Sequence, residues 1–155
     1  MGNEIFITAT GPLTASDAVA AILVLDDGRY VMQLRDSLPA IFYPGHWGCF
    51  GGAVDRGENP KQSLIRELRE ELEFEVTMAR EFTRFDFDLR ELGQERVCRI
   101  YFEVPVSSAA FSGFVLHEGA QISAFSPADI LLQPRVTPYD AFAIWLHYRR
   151  GRFRI

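Results

Sequence analysis

A mixed sheet packed between helices, an α/β (α+β) fold, is what this 155-residue sequence predicts. Three observations lead there. Hairpin signals dominate the strand-like segments, so a regular alternation of parallel strand and helix is not expected. One helix with strong start signals sits in the middle of the strands. A second helix closes the chain.

The elements follow in order. "EIFITAT" is rich in β-branched residues and reads as a first strand. Ala18 to Leu25 is the longest apolar run, bounded by Asp17 and Asp26. It is far too short to span a bilayer, so it reads as a buried strand. Asp27-Gly28 is a turn signal, and "YVMQLR" is the returning strand. A loop from Asp36 to His46 carries Pro39, Pro44 and Gly45. "WGCF" is a short strand that ends at Gly51-Gly52.

Asn59 is a good helix N-cap, Pro60 suits the first helical position, and Gln62 completes a capping-box spacing. Leu64, Ile65, Leu68 and Leu72 form one apolar stripe at helical spacing. "FEVTM" comes next, then "RFDFDL", with Phe85, Phe87 and Leu89 alternating with polar residues. A turn at Leu92-Gly93-Gln94 leads to the partner strand "RVCRIYFEVPV". A further strand is expected near Val115 to His117. Ser126 caps a short helix from Pro127, and the last helix runs from about Pro138 to Arg149.

Composition bounds the function. The chain is long enough for one domain over residues 1–155 and is 48% hydrophobic and 24% charged, which is ordinary for a folded protein. The net charge of −5 disfavours long nucleic acid as a partner, since no excess of Lys and Arg exists to neutralise phosphates. An acidic protein that handles phosphates needs a cation to screen the repulsion. Cys49 and Cys98 form no framework and no metal motif, so free thiols in a reducing cytoplasm are expected. No signal peptide or membrane span is read. Gly2 lacks the Ser or Thr that myristoylation wants at position 6.

The chemistry concentrates on the central helix. Glu67, Glu70 and Glu71 return to one face at spacings of three and four. Arg66 lies four residues before Glu70 and can brace it. Such a face is commonly just solvated. It also matches what a hard divalent cation prefers, since Mg²⁺ bridges carboxylates to substrate phosphates. Gly51 and Gly52 precede the helix and let backbone approach a ligand closely. Glu58 can fold back from the connecting loop towards the same face.

Gly52, Glu58 and the run Arg66-Glu67-Leu68-Arg69-Glu70-Glu71-Leu72-Glu73-Phe74 together resemble the Nudix box. That motif is a Gly, five residues, a Glu, seven residues, then R-E-U-x-E-E-x-G-U, with U a bulky aliphatic. Every charged position is filled. Glu73 stands where the family has Gly, so the helix either ends with Glu73 in a strained left-handed conformation or ends differently. Phe74 replaces the final aliphatic residue.

The resemblance implies an α/β/α sandwich with a mixed sheet. It implies hydrolysis of a nucleoside diphosphate linked to another group: a nucleoside triphosphate, nucleotide sugar or dinucleotide. It implies Mg²⁺, with Mn²⁺ as the alternative, held by Glu70 and Glu71. Glu67 is a further ligand or the base, Arg66 orients a catalytic glutamate, and Gly52 lends a carbonyl. The expected partner is a small nucleotide, not a membrane or long nucleic acid, and the expected state is monomer or homodimer.

Outside the box the signals are weaker. Tyr43 and Trp47 are available to stack on a base, although packing is the commoner use of such aromatics. Arg35, Arg84 and Arg99 are available to phosphate or are strand-surface charges. Arg35, Tyr43, Trp47 and Glu58 are carried forward as candidate substrate contacts. His46, His117 and His147 share no ligand spacing and read as surface or packing residues. Glu118, in "LHEGAQISAF", resembles a loop glutamate that some family members place near the metals. It is the preferred general base if its loop reaches the helix, and otherwise Glu67 is. Two rival readings stay open: a sensor that binds a nucleotide without cleaving it, and glycosyl hydrolysis of a nucleotide sugar.

Overall fold

In the computed structural model, residues 16–38, 41–88, 90–93, 95–133 and 135–150 are described. The expected first strand "EIFITAT", and Pro39, Leu89 and Gln94 within their segments, lie outside them.

The apolar run Ala18–Leu25 forms strand β1, and almost every residue in it is buried. It pairs in parallel with β6 (Arg96–Val106), in register from Ala18 opposite Arg99 to Leu25 opposite Val106. Its other edge is shared. The end near Leu23 pairs antiparallel with β2 (Tyr30–Leu34), and the end near Ala18 pairs antiparallel with β4 (Phe50–Ala53). β2 pairs with β3 (Trp47–Gly48) and, along its whole length, with β7 (Gln121–Phe125). β3 and β4 therefore wedge between the diverging β2 and β1. β5 (Arg80–Asp88) runs antiparallel to β6 and forms the opposite edge.

A strand buried on both faces needs cover on both, and β1 shows how it is divided. Val19, Ala21, Leu23 and Leu25 meet Leu64, Leu68 and Leu72 of α1 (Pro60–Leu72). Ala20 and Ile22 face the other way, with Ile130 of α3 (Pro127–Leu132) and Ala143 and Ile144 of α4 (Pro138–Arg149). Side chains alternating at period two put one core on each face, and the result is the expected α/β/α sandwich. Each fully buried leucine of α1 contributes about 2 kcal/mol by burial.

Several local expectations are corrected. "WGCF" is not one strand ending at Gly51-Gly52. It is split at Cys49 into β3 and β4, and both glycines lie inside β4. Val115 to His117 is not a strand. The Val115 and His117 amides donate to the carbonyls of Leu72 (3.1 Å) and Glu71 (2.9 Å), at the end of α1, so they cannot serve a sheet ladder. A short helix not anticipated, α2 (Ser108–Ser112), follows β6. Ser107 caps it by accepting from the Ala110 amide at 3.0 Å.

One further correction concerns charge. Arg99 is neither a surface charge nor open to phosphate. Its side chain is 17% exposed and meets Asp140 at 3.2 Å and the Tyr101 hydroxyl at 3.0 Å. Asp140 also accepts from the Cys49 amide, the Thr137 hydroxyl and the Tyr101 hydroxyl, which satisfies a buried carboxylate. Arg84 is exposed and pairs with Asp86. Cys49 and Cys98 are free and buried. Among the described residues, no helix is long and apolar enough to cross a membrane.

Candidate active site

Helix α1 starts and stops as its sequence directs. The Asn59 side chain accepts from the Gln62 amide (2.9 Å), and the Gln62 side chain accepts from the Asn59 amide (3.0 Å). At the other end, Glu73 takes the left-handed conformation (φ 53°, ψ 33°) that the motif reserves for Gly. The Glu73 and Phe74 amides donate to the carbonyls of Arg69 (3.0 Å) and Leu68 (3.2 Å), which closes the helix end. The helix keeps its end, and Glu73 carries the strained backbone.

Strand β4 fixes the helix face. Ser63 Oγ donates to the Ala53 carbonyl (3.2 Å), and the Gly51 amide donates to Glu71 Oε2 (3.1 Å). A Cβ at Gly52 would lie 2.6 Å from the Glu67 carboxylate. The absence of a side chain there is what lets Glu67 lie against the strand.

The three helix glutamates are not equivalent. Glu71 lies at the edge of the apolar stripe and is 3% exposed. Burial pushes its carboxyl up to about 9, helped by the like charges of Glu118 and Glu67, while the Gly51 amide and Arg35 oppose the shift. Glu67 is mostly buried and also raised, first by desolvation, with Glu70 and Glu118 adding to it and Arg66 opposing. Glu70 is largely exposed. Glu67, rather than Glu70, sits at the centre of the acidic group.

Arg66 is the brace. It meets Glu58 (2.7 Å), Glu67 (2.8 Å), Glu70 (3.2 Å) and Asp55 (3.3 Å), and donates to the Ala53 carbonyl. Its hydrogen bond with Glu58 comes first in holding Glu58 below the usual carboxylate range and Arg66 above its own. Glu58 is thus tied to Arg66.

Glu118 reaches this group. Its loop is anchored on both sides: His117 to the end of α1, and Ala120 to the Leu34 carbonyl of β2 (2.8 Å). Between them, Glu118 lines a small cavity of about 60 Å³ with Gln33, Arg35, Asp36, Leu38 and Ile41. Gln33 and Asp36 were missed by sequence reasoning. Their signal was their place beside Arg35, where a buried strand runs out into a Pro-containing loop.

Arg35 lies at this cleft, with its Nε donating to the Phe42 carbonyl (2.9 Å). Trp47 packs edge-on against Phe125, and Tyr43 lies against His46 and Tyr139. These are the packing contacts foreseen as the alternative to base stacking. His117 contacts Glu73, and His147 is buried on the far face of the sheet.

Among the described residues, no three acidic, imidazole or thiol groups stand close enough to enclose an ion. The donor chemistry nonetheless fits a hard divalent cation. The groups are carboxylate oxygens, and two of them, Glu67 and Glu71, are desolvated and raised further by the like charges around them. Glu67 and Glu71, with the more exposed Glu70 beside them, are the residues that would hold it.

Comparison with known proteins bears on the family and the fold. The NUDIX domain family model matches residues 15–146. An uncharacterized Nudix hydrolase from Pseudomonas aeruginosa is 36% identical over 84 residues, covering 54% of this chain and 48% of that protein. A nucleoside triphosphatase from Escherichia coli is 40% identical over 50 residues, 32% of this chain and 35% of that protein. The matched stretches thus span less than half the length of both relatives. In structure, a MutT protein from Methanosarcina mazei aligns with a TM-score of 0.72 at 20% identity, covering 92% of this chain and 99% of that one.

Proposed function

The chain belongs to the Nudix family, and from that premise we propose that it hydrolyses the pyrophosphate linkage of a nucleoside diphosphate joined to a second group, with Mg²⁺ or Mn²⁺. One observation supports this above the rest. The box carboxylates Glu67 and Glu71 lie within electrostatic reach of Glu118, a glutamate far away in sequence, beside an open cleft. A merely solvated acidic face has no reason to bury one glutamate and bring a second loop against it.

Each residue has a role in this reading. Glu71 and Glu67 supply carboxylate oxygens that would hold the cation between the protein and the phosphates, with Glu70 at the exposed rim. When bound, a divalent cation would neutralise diphosphate charge and lower the pKa of a water ligand. Arg66 keeps Glu67 oriented and opposes the upward shift that desolvation imposes on its carboxyl. Arg35, which lines the same cavity as Glu118, offers positive charge to a phosphate oxygen. Glu118 takes a proton from water in this reading, and its separate loop supports the role. Tyr43 and Trp47 are engaged in packing with Tyr139 and Phe125, and Glu58 acts through Arg66.

The test is a panel of nucleoside triphosphates, nucleotide sugars and dinucleotides, incubated with Mg²⁺ or Mn²⁺ and resolved by anion-exchange chromatography. Two phosphate-bearing products are expected from at least one compound, and none with Glu71→Gln. A free sugar as product would establish glycosyl cleavage instead. Tight binding of an uncleaved nucleotide would establish the sensor reading.

A further inference from the structure

We propose that Glu73 and His117 form a latch that positions Glu118 against the carboxylates of α1, which makes Glu73 a positioning residue for the reaction. The inference rests on the hydrolase reading above. It begins with the departure from the motif. A left-handed residue ends α1, and a side chain there is strained where Gly would not be. The backbone gains nothing from it, since the amides of residues 73 and 74 would donate to Arg69 and Leu68 equally well with Gly at position 73.

What the side chain adds is one contact. Glu73 Oε1 lies 2.7 Å from His117 Nε2. His117 directly precedes Glu118. On the far side of Glu118, the Gly119 amide donates to Asp36 Oδ2 (3.2 Å) and the Ala120 amide to the Leu34 carbonyl. Glu118 is therefore slung between α1 and β2. Its like charge repels that of Glu67, which pushes the loop away from the helix. A second tie on the α1 side resists that push.

A purely stabilising role does not account for the contact. Both side chains are about half exposed, and ion pairs so placed contribute little to folding. Strain accepted at position 73 thus has no return in stability, while the contact it makes falls on the residue next to Glu118.

Steady-state kinetics on Glu73→Gly and Glu73→Gln, with saturating Mg²⁺ and the best substrate of the panel, test this together with amide hydrogen exchange over residues 116–120. Glu73→Gly is expected to lower kcat about tenfold to a hundredfold with KM little changed, because the base is misplaced rather than the substrate. Its melting temperature should match or exceed the wild type, and exchange in the loop should accelerate. Glu73→Gln, whose carbonyl accepts the same hydrogen bond, should restore most of kcat. A Glu73→Gly protein with wild-type kcat, or with unaltered loop exchange, overturns the proposal. A wild-type protein that turns over no compound, while Glu73→Gly still speeds loop exchange, removes the hydrolase reading and leaves the latch standing.

Discussion

The Gly51 amide donates to Glu71 Oε2 across 3.1 Å, so β4 grips a buried carboxylate of the helix packed on it. This works only because Gly51 adopts φ 144° and passes close to β1. A Cβ at Gly51 would lie 2.0 Å from the Val19 carbonyl, which is backbone and cannot yield. Gly51→Ala is expected to cost about 3 kcal/mol or more, read by chemical denaturation.

Its neighbour predicts the opposite split. A Cβ at Gly52 meets only the carboxylate end of Glu67, which can swing away. Gly52→Ala should fold with stability within about 1 kcal/mol of wild type and lose most turnover. Denaturation and kinetics on the one variant check both halves.

Glu71→Gln should abolish activity while stabilising the metal-free protein at high pH. The Glu71 carboxyl is raised from 4.5 to about 9, so the folded chain holds a proton that the unfolded chain releases. Its effect on stability is therefore favourable near pH 4.5 and is lost as pH rises towards 9. Melting curves in chelator between pH 6 and 9 should slope downwards for wild type and less so for Glu71→Gln.

Glu118→Gln separates the two candidate bases. If Glu118 takes the proton, kcat should fall by roughly two to four orders of magnitude with Mg²⁺ affinity nearly unchanged. Wild-type kcat in that variant would assign the task to Glu67.

Acid should weaken the opposite face of the sheet through His147. Its Nδ1 faces two donors, the Tyr30 hydroxyl (2.8 Å) and Arg150 (3.2 Å), while Nε2 meets Glu103. The imidazole is therefore neutral, with its proton on Nε2. Burial comes first in holding its pKa below 6.5, against the pull of Glu103, and Arg150 and Arg80 add to the lowering. A depressed histidine contributes stability above pH 6.5 that is lost as pH falls through its folded value. Melting temperature should drop between pH 7 and 5, and His147→Gln should flatten that slope.

The helix that carries the site was legible because its signals are local. Asn59, Pro60, Gln62 and the leucine stripe specify start, direction and buried face without reference to anything distant. β1 and β6 were legible for the same reason. Glu71's burial was not, since period alone puts it beside Glu67 and Glu70, and only the approach of β4 and the Glu118 loop distinguishes them. The Val115–His117 segment was read as a strand, but its amides go to the last carbonyls of α1, a long-range pairing that no local signal announces. Arg99 and Asp140 are 41 positions apart, and no periodicity links a strand residue to a helix residue that far away.

The parallel pairing of β1 with β6 has a consequence for the chain as it is made. Ala18 must wait for Arg99 to be synthesised, 99 − 18 = 81 residues later. At about 5–20 residues per second, that is roughly 4–16 seconds. Until then a wholly apolar strand has only the short strands β2 and β4 on one edge, and its other edge is open. Aggregation of nascent chains, rather than slow chemistry, is therefore the hazard that this topology carries into the cell, and variants that destabilise β6 should reveal themselves first as lost soluble yield.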